Sequence, residues 1–312
     1  MNTALNRRTV LLAAAVGASA TLLQACGGGN DEPQRNIVEI AQANPDLSIL
    51  VEAVSAAGLA PSLSTGTLTV FAPTNAAFAA LLSELGVTKE ALLADKPLLT
   101  SVLTYHVLGS RVPRADVPLG KAITPLSGGF FKIESTNGLK ITDGRNRVST
   151  ITATDIEASN GVVHLVDRVL LPANKDIVAT ASSLPDFSIL VEAVVAAGLA
   201  STLQGAGPFT VFAPTNAAFA ALLTELGVSK EALLANTALL TKVLTYHVVP
   251  ARVLKAEVPL NTAIATVQGQ TFTVNASLVI TDQNQRTSNI TMADVFTSNG
   301  VIHVVDKVIL PK

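Results

Sequence analysis

Ten residues that occur twice constrain this chain more than any other feature. Thr69–Phe78 (TVFAPTNAAF) returns letter for letter as Thr210–Phe219. In each copy apolar and other residues alternate as a pleated strand requires, with Leu68, Val70 and Ala72 on one face. Pro73 cannot donate to a sheet ladder, so the strand stops there. Thr74 and Asn75 carry oxygens able to cap a helix start, Ala76–Leu85 is a run of helix formers, and Gly86 suits the helix end. Three further blocks repeat in the same order: Pro45–Val54 as Pro185–Val194, Leu103–Val107 as Leu244–Val248, and Ser159–His164 as Ser298–His303. Copies lie about 140 residues apart, so the repeating unit is a whole domain rather than a solenoid blade.

Within one unit the first half reads as helices. Ile37–Ala41 is a short helix led by Asn36 or Arg35, Asp46 is placed to cap a second that ends at Gly58, and Thr88 caps a third. Pro97 fits the first turn of a helix carrying Leu98, Leu99, Val102 and Leu103 into an extended Tyr105–Leu108. The second half reads as strands. Phe130–Glu134 and Leu139–Thr142 flank the hairpin signal Asn137-Gly138, Ser149–Thr154 is β-branched, and Val162–Leu171 suits a central strand covered on both faces. Helices followed by strands predict an α+β domain on an antiparallel sheet, used twice: residues 36–173 and 174–312. Only Ala173-Asn174-Lys175 joins Pro172 to the next helix start at Asp176, which predicts two domains held close.

Ahead of both domains, Arg7-Arg8 opens an apolar run over 9–25 that ends on small residues, the pattern of an export signal spanning residues 1–26. Cys26 is the single cysteine of the chain, so no intrachain disulfide or cysteine-based zinc site is available. Leu23-Gln24-Ala25-Cys26 resembles the lipobox of bacterial lipoproteins, in which the thiol is acylated; Gln24 departs from the small or aliphatic residue usual at its place. Residues 27–35 would then be a tether. Asn6–Leu11 also looks like a twin-arginine signal, leaving the export route open. If the lipobox resemblance holds, Gly27 in place of Asp implies an outer-membrane or cell-surface lipoprotein, with a periplasmic facing as the other possibility.

The three recurring blocks together resemble the fasciclin domain family: Thr-Val-Phe-Ala-Pro-Thr-Asn, then Tyr105-His106 and Tyr246-His247, then Asn160–Pro172 and Asn299–Pro311. The resemblance implies tandem domains, each an antiparallel β-sandwich or wedge with a helical layer. It also implies extracellular, non-catalytic work in adhesion or matrix binding, with no cofactor. In animal members the Tyr-His block belongs to a stretch proposed for integrin contact, so Tyr105, His106, Tyr246 and His247 are candidate binding residues, weighed against a structural role. Asn174–Ile177 similarly resembles an adhesion motif, although Asp176 also matches Asn36 as a helix cap.

Candidate chemistry is sparse. The four histidines occupy two repeat-equivalent places, and His164 and Asp167 point to opposite faces of one strand and cannot act as a pair. His164 shares its face with Val162 and Val166, as a core histidine bonded to backbone would. There is no phosphate loop, zinc spacing or nucleophile elbow, and each half carries slightly more acids than bases, without the basic excess phosphate binding needs, so nucleic acid is not expected as a partner. With no Trp and two Tyr, an aromatic platform for bases or sugars is not expected. The helical halves of the copies are nearly identical, but 126–148 and 267–287 differ. Phe130 and Phe131, with Arg145 and Arg147, have no counterparts, so these residues are expected on solvent-facing loops that recognise a partner. The reading that follows is a lipid-anchored envelope protein binding a cell-surface, matrix or envelope polymer; the alternative is a periplasmic binder of a small molecule or glycan.

Overall fold

A computed structural model describes residues 34–312 of the chain; the expected export signal, Cys26 and most of the expected tether lie outside the described residues. Residues Arg35–Lys312 form one compact unit holding two seven-stranded sheets, one per repeat. The first repeat runs α1 (Ile37–Ala43), α2 (Ser48–Ala57), α3 (Ala60–Leu63), β1 (Leu68–Pro73), α4 (Asn75–Leu85), α5 (Lys89–Ala94), α6 (Lys96–Tyr105) and β2 (Val107–Leu108). It continues with β3 (Ala122–Ile123), β4 (Phe131–Ser135), β5 (Leu139–Thr142), β6 (Val148–Ala158) and β7 (Gly161–Val166). The second repeats this as α7 (Ile177–Ser182), α8 (Ser188–Ala196), α9 (Ala200–Leu203), β8 (Phe209–Pro214), α10 (Asn216–Leu226), α11 (Lys230–Ala235) and α12 (Thr237–Tyr246). Its strands end with β9 (Val248–Val249), β10 (Ile264–Ala265), β11 (Thr271–Val274), β12 (Val279–Thr281), β13 (Thr287–Thr297) and β14 (Gly300–Val305).

The α+β organisation is as expected, with one difference in the sheet. Its order is β2-β1-β7-β6-β5-β4-β3, and β1 pairs with β7 in parallel from Leu68↔Gly161 to Pro73↔Val166. The remaining pairs are antiparallel. The parallel pair joins the first strand of the unit to the last, and the helices between them supply the long crossover that a parallel pair requires. Strand β7 is central, and β1 is buried along its whole length. On one face Val70, Ala72 and Val163 pack against α2, α4 and α6; on the other Phe71 packs with Tyr105, Phe131, Ile133 and Ile141. Two register shifts in the β6–β7 ladder bend the sheet so that its outer strands close over Phe71.

Local chemistry sets most boundaries. Asn36 and Glu39 form a reciprocal capping box at α1, and Thr74, Thr88 and Asp95 cap α4, α5 and α6. Asp46, expected to cap the second helix, instead lies within a 3-10 turn at Pro45–Leu47 whose own cap is Asn44. Asn75 does something the repeat could not disclose. Its side chain accepts from Ile49 N at 3.0 Å and donates to Pro45 O and Ser48 Oγ, tying the start of α4 to that of α2. Asn216 repeats all three bonds in the second unit. Gly161 is required by close approach: a Cβ there would lie 1.9 Å from Leu68 O, and its φ is +152°.

Candidate functional site

The Tyr-His block sits where α6 turns into β2. Tyr105 is fully buried, and its hydroxyl donates to Phe130 O at the entry to β4. His106 is also buried and clasps the end of the unit: its Nδ1 donates to Val102 O at 2.7 Å and its Nε2 accepts from Leu170 N at 2.8 Å. An amide N–H can only donate, so Nε2 must be unprotonated and the proton sits on Nδ1. Burial pushes the imidazole down to about 4, which keeps it neutral. Tyr246 and His247 repeat the arrangement through Thr271 O, Val243 O and Ile309 N, and burial likewise holds His247 at about 4. None of the four side chains reaches the surface, so a partner touching this region meets its neighbours instead.

His164 and His303 are backbone-bound in the opposite tautomer. Nδ1 accepts from Asp155 N or Asp294 N at 3.2 Å, and Nε2 donates to Val112 O or Val253 O. Each therefore stitches the bulge of the long strand to the loop after the Tyr-His block. Among the described residues no three His, Cys, Asp or Glu side chains come together as metal ligands could. Asp143, just ahead of two loop arginines, is equally committed: its carboxylate accepts from the amides of Arg145, Arg147 and Leu171 and from the Arg147 guanidinium.

The structure corrects the expectation that Phe130, Phe131 and Arg147 lie on free surface loops. Phe131 is a fully buried core ring against Phe71 and Tyr105. Phe130 is 6% exposed because it packs on Phe296 of the second repeat at 4.7 Å between ring centres, with the Arg252 guanidinium 4.5 Å from its own ring centre. Arg147 pairs with Asp143 and Glu84; contrary to expectation it has a counterpart, Arg286 paired with Glu225, and Phe131 has one in Phe272, which packs on Phe212 as Phe131 does on Phe71. Only Arg145 keeps a half-exposed side chain without a carboxylate in contact among the described residues; its Nε reaches Pro172 O at 3.4 Å. The divergent hairpin end is thus an interdomain joint. Asn146 binds the Phe296 backbone from both sides, accepting from N at 2.6 Å and donating to O at 3.0 Å. Lys132 pairs with Asp294 across the joint at 2.8 Å and with Glu134 beside it. Burial opposes its charge, but the hydrogen bonds it donates to Asp294 and Glu134 outweigh that and raise its pKa.

The signal for this joint was in the sequence as a difference between copies. Register places Glu157 where the second repeat has Phe296, and the shared tyrosine bond places Thr271 where the first has Phe130. Beside the joint opens a cleft of about 680 Å³ bordered by the Gly144–Arg147 turn, Lys175, the end of α7 and Met292–Phe296, a lining that mixes charged and apolar side chains. Two much smaller apolar cavities, about 40 and 30 Å³, sit at equivalent places between helices and sheet in the two repeats. Among the described residues no helix is long and apolar enough to cross a membrane.

Comparison with known proteins matches the chain's sequence to the family described as Fasciclin domain, twice, over residues 45–172 and 185–311. The chain belongs to the fasciclin domain family. It is 46% identical over 148 residues to protein sll1483 of Synechocystis, covering 47% of this chain and 79% of that one. It is 28% identical over 252 residues to pig transforming growth factor-beta-induced protein ig-h3, covering 79% of this chain but only 35% of that longer one. A solved fasciclin domain pair from the insect cell adhesion molecule fasciclin I aligns with 88% of the chain at 17% identity and a TM-score of 0.43. In fasciclin terms, both Tyr-His blocks and both terminal Asn-Gly strands of this chain are buried framework, and what distinguishes its two domains is the joint between them.

Proposed function

We propose that this is an exported, lipid-anchored fasciclin protein that works by binding, not catalysis, and contributes to adhesion by engaging a matrix or envelope polymer. Membership of the fasciclin family supports adhesion work outside the cytoplasm. The observation that carries the binding reading is the commitment of the reactive groups. Each of the four histidines spends both ring nitrogens on backbone, whereas a wide cleft bordered by charged side chains opens at the joint of two domains held together by Phe130, Lys132 and Asn146. Recognition on a rigid scaffold suits such a surface. The alternative, a small-molecule or glycan binder, draws on the same cleft, whose volume falls in the range of ligand sites.

The anchor rests on Cys26 and its lipobox-like setting. Cells producing the full chain should incorporate palmitate into it and retain it in the membrane fraction. Cys26→Ala should lose the label and release the protein, and adherence of those cells to isolated envelope polymer should fall with it. Unlabelled wild-type protein would refute the anchor, and unchanged adherence after release would refute the adhesion role.

A further inference from the structure

Among the described residues, two cations of the interdomain cleft have no counter-ion in contact. Four basic side chains border it, but Lys132 is spent on Asp294 and Glu134, and Arg147 on Asp143 and Glu84. The bordering carboxylates, Glu84 and Asp294, are occupied by those same pairs. Arg145, on the β5–β6 turn, and Lys175, just before α7, have no carboxylate in contact among the described residues. Arg145 is half-buried, and burial followed by repulsion from Arg147 disfavours its charge, against partial help from Asp143 and Glu84. A cation kept in that setting gains from an anion brought to it. The two free cations come from different domains, so one ligand would draw on both.

The rest of the lining narrows the ligand. Thr142 and Thr180 supply hydroxyls, and Leu184 and Met292 are exposed apolar side chains at the same cleft. An apolar ligand fits neither the charge nor the hydroxyls. Nucleic acid needs many phosphate contacts along a basic track, whereas this chain has a net charge of -2, both its tyrosines are buried, and it has no Trp for stacking. A sugar acid matches each feature: a planar carboxylate for the guanidinium fork, hydroxyls for the threonines, and an apolar C–H ring face for Leu184 and Met292. We infer that the interdomain cleft is a binding site for an anionic, uronate-bearing polysaccharide, with Arg145 and Lys175 holding carboxylates. This rests on the reading of the protein as a polymer-binding adhesion protein and names the polymer's chemistry.

The test is calorimetric titration of the full chain, purified in detergent, with hexagalacturonate, neutral maltohexaose and poly-L-glutamate. Hexagalacturonate should bind, weakening as salt rises; maltohexaose should not, and polyglutamate should bind at least tenfold more weakly. The double variant Arg145→Gln/Lys175→Gln should lose at least tenfold in hexagalacturonate affinity, while Arg111→Gln, at the exposed Arg111–Glu157 pair, should lose none. If Arg145→Gln lowers the melting temperature, Lys175→Gln alone, at an exposed position, should still weaken binding about threefold. Unchanged affinity in these variants, equal binding of maltohexaose, or equal binding of polyglutamate would overturn the inference. Wild-type adherence to envelope polymer by cells carrying the double variant would sink the cleft and leave the adhesion role standing. Loss of hexagalacturonate binding in the variant, with wild-type cells failing to adhere, would do the reverse.

Discussion

His106 and His247 show how one residue type can look reactive in sequence and be inert in the fold. Each is neutral in the folded state down to about pH 4, whereas an unfolded histidine takes up its proton near 6.5. Between those values the unfolded chain binds more protons than the folded one, so stability is intact above pH 6.5 and falls as pH drops toward 4. The loss should be on the order of 3 kcal/mol per histidine at pH 4, read from urea midpoints across that range. His106→Phe should remove about half of this acid slope while costing roughly 1–3 kcal/mol at pH 7, because Leu170 N–H loses its acceptor. Gly161 marks the opposite extreme, a residue wanted for what it lacks. Gly161→Ala would drive a methyl into Leu68 O and should cost about 3 kcal/mol or more by chemical denaturation.

Among elements, the strand-to-helix block carries the organisation of each unit. Strand β1 links the two cores, with Val70 and Ala72 on the helical side and Phe71 on the hairpin side. Asn75 then fixes α4 against α2 by three hydrogen bonds spanning about 30 residues of chain. Asn75→Ala leaves Ile49 N–H and Pro45 O to find water and should cost about 2 kcal/mol; Asn216→Ala should cost about the same. Because the two sites share no partners, their effects in a double variant should add within about 0.5 kcal/mol. A strongly non-additive result in thermal or urea unfolding would show that the repeats are energetically coupled even at their helical ends.

Across the whole molecule, the two repeats dock by unlike surfaces. The first offers Phe130, Lys132 and Asn146; the second receives them on Phe296, Asp294 and Leu254. The receiving surface of the first repeat instead carries the exposed Arg111–Glu157 pair, and the second repeat has Thr271 at the place of Phe130. Phe296→Ala removes the ring stacked on Phe130 and should cost about 3 kcal/mol, enough to separate the unfolding of the two repeats in differential scanning calorimetry. Asp294→Asn keeps a residue that tolerates its φ of +62° but strips Lys132 of its buried partner, and should cost roughly 1–3 kcal/mol.

The duplicated blocks, the caps at Thr74 and Thr88, the Asn137-Gly138 hairpin and the central final strand were legible in sequence, because each depends on backbone preferences and periodicities local to a few residues. The resemblance to fasciclin domains rested on the same blocks. Three things were not legible: the parallel pairing of β1 with β7, the long-range grip of Asn75, and the burial of Phe130 and Phe131. A divergent, loop-like stretch reads as solvent-facing when one domain is considered alone. Only the tertiary structure closes β4 over Phe71 to bury Phe131 and brings the second repeat against Phe130, and apolar area shared between two domains is invisible to any pattern within one of them.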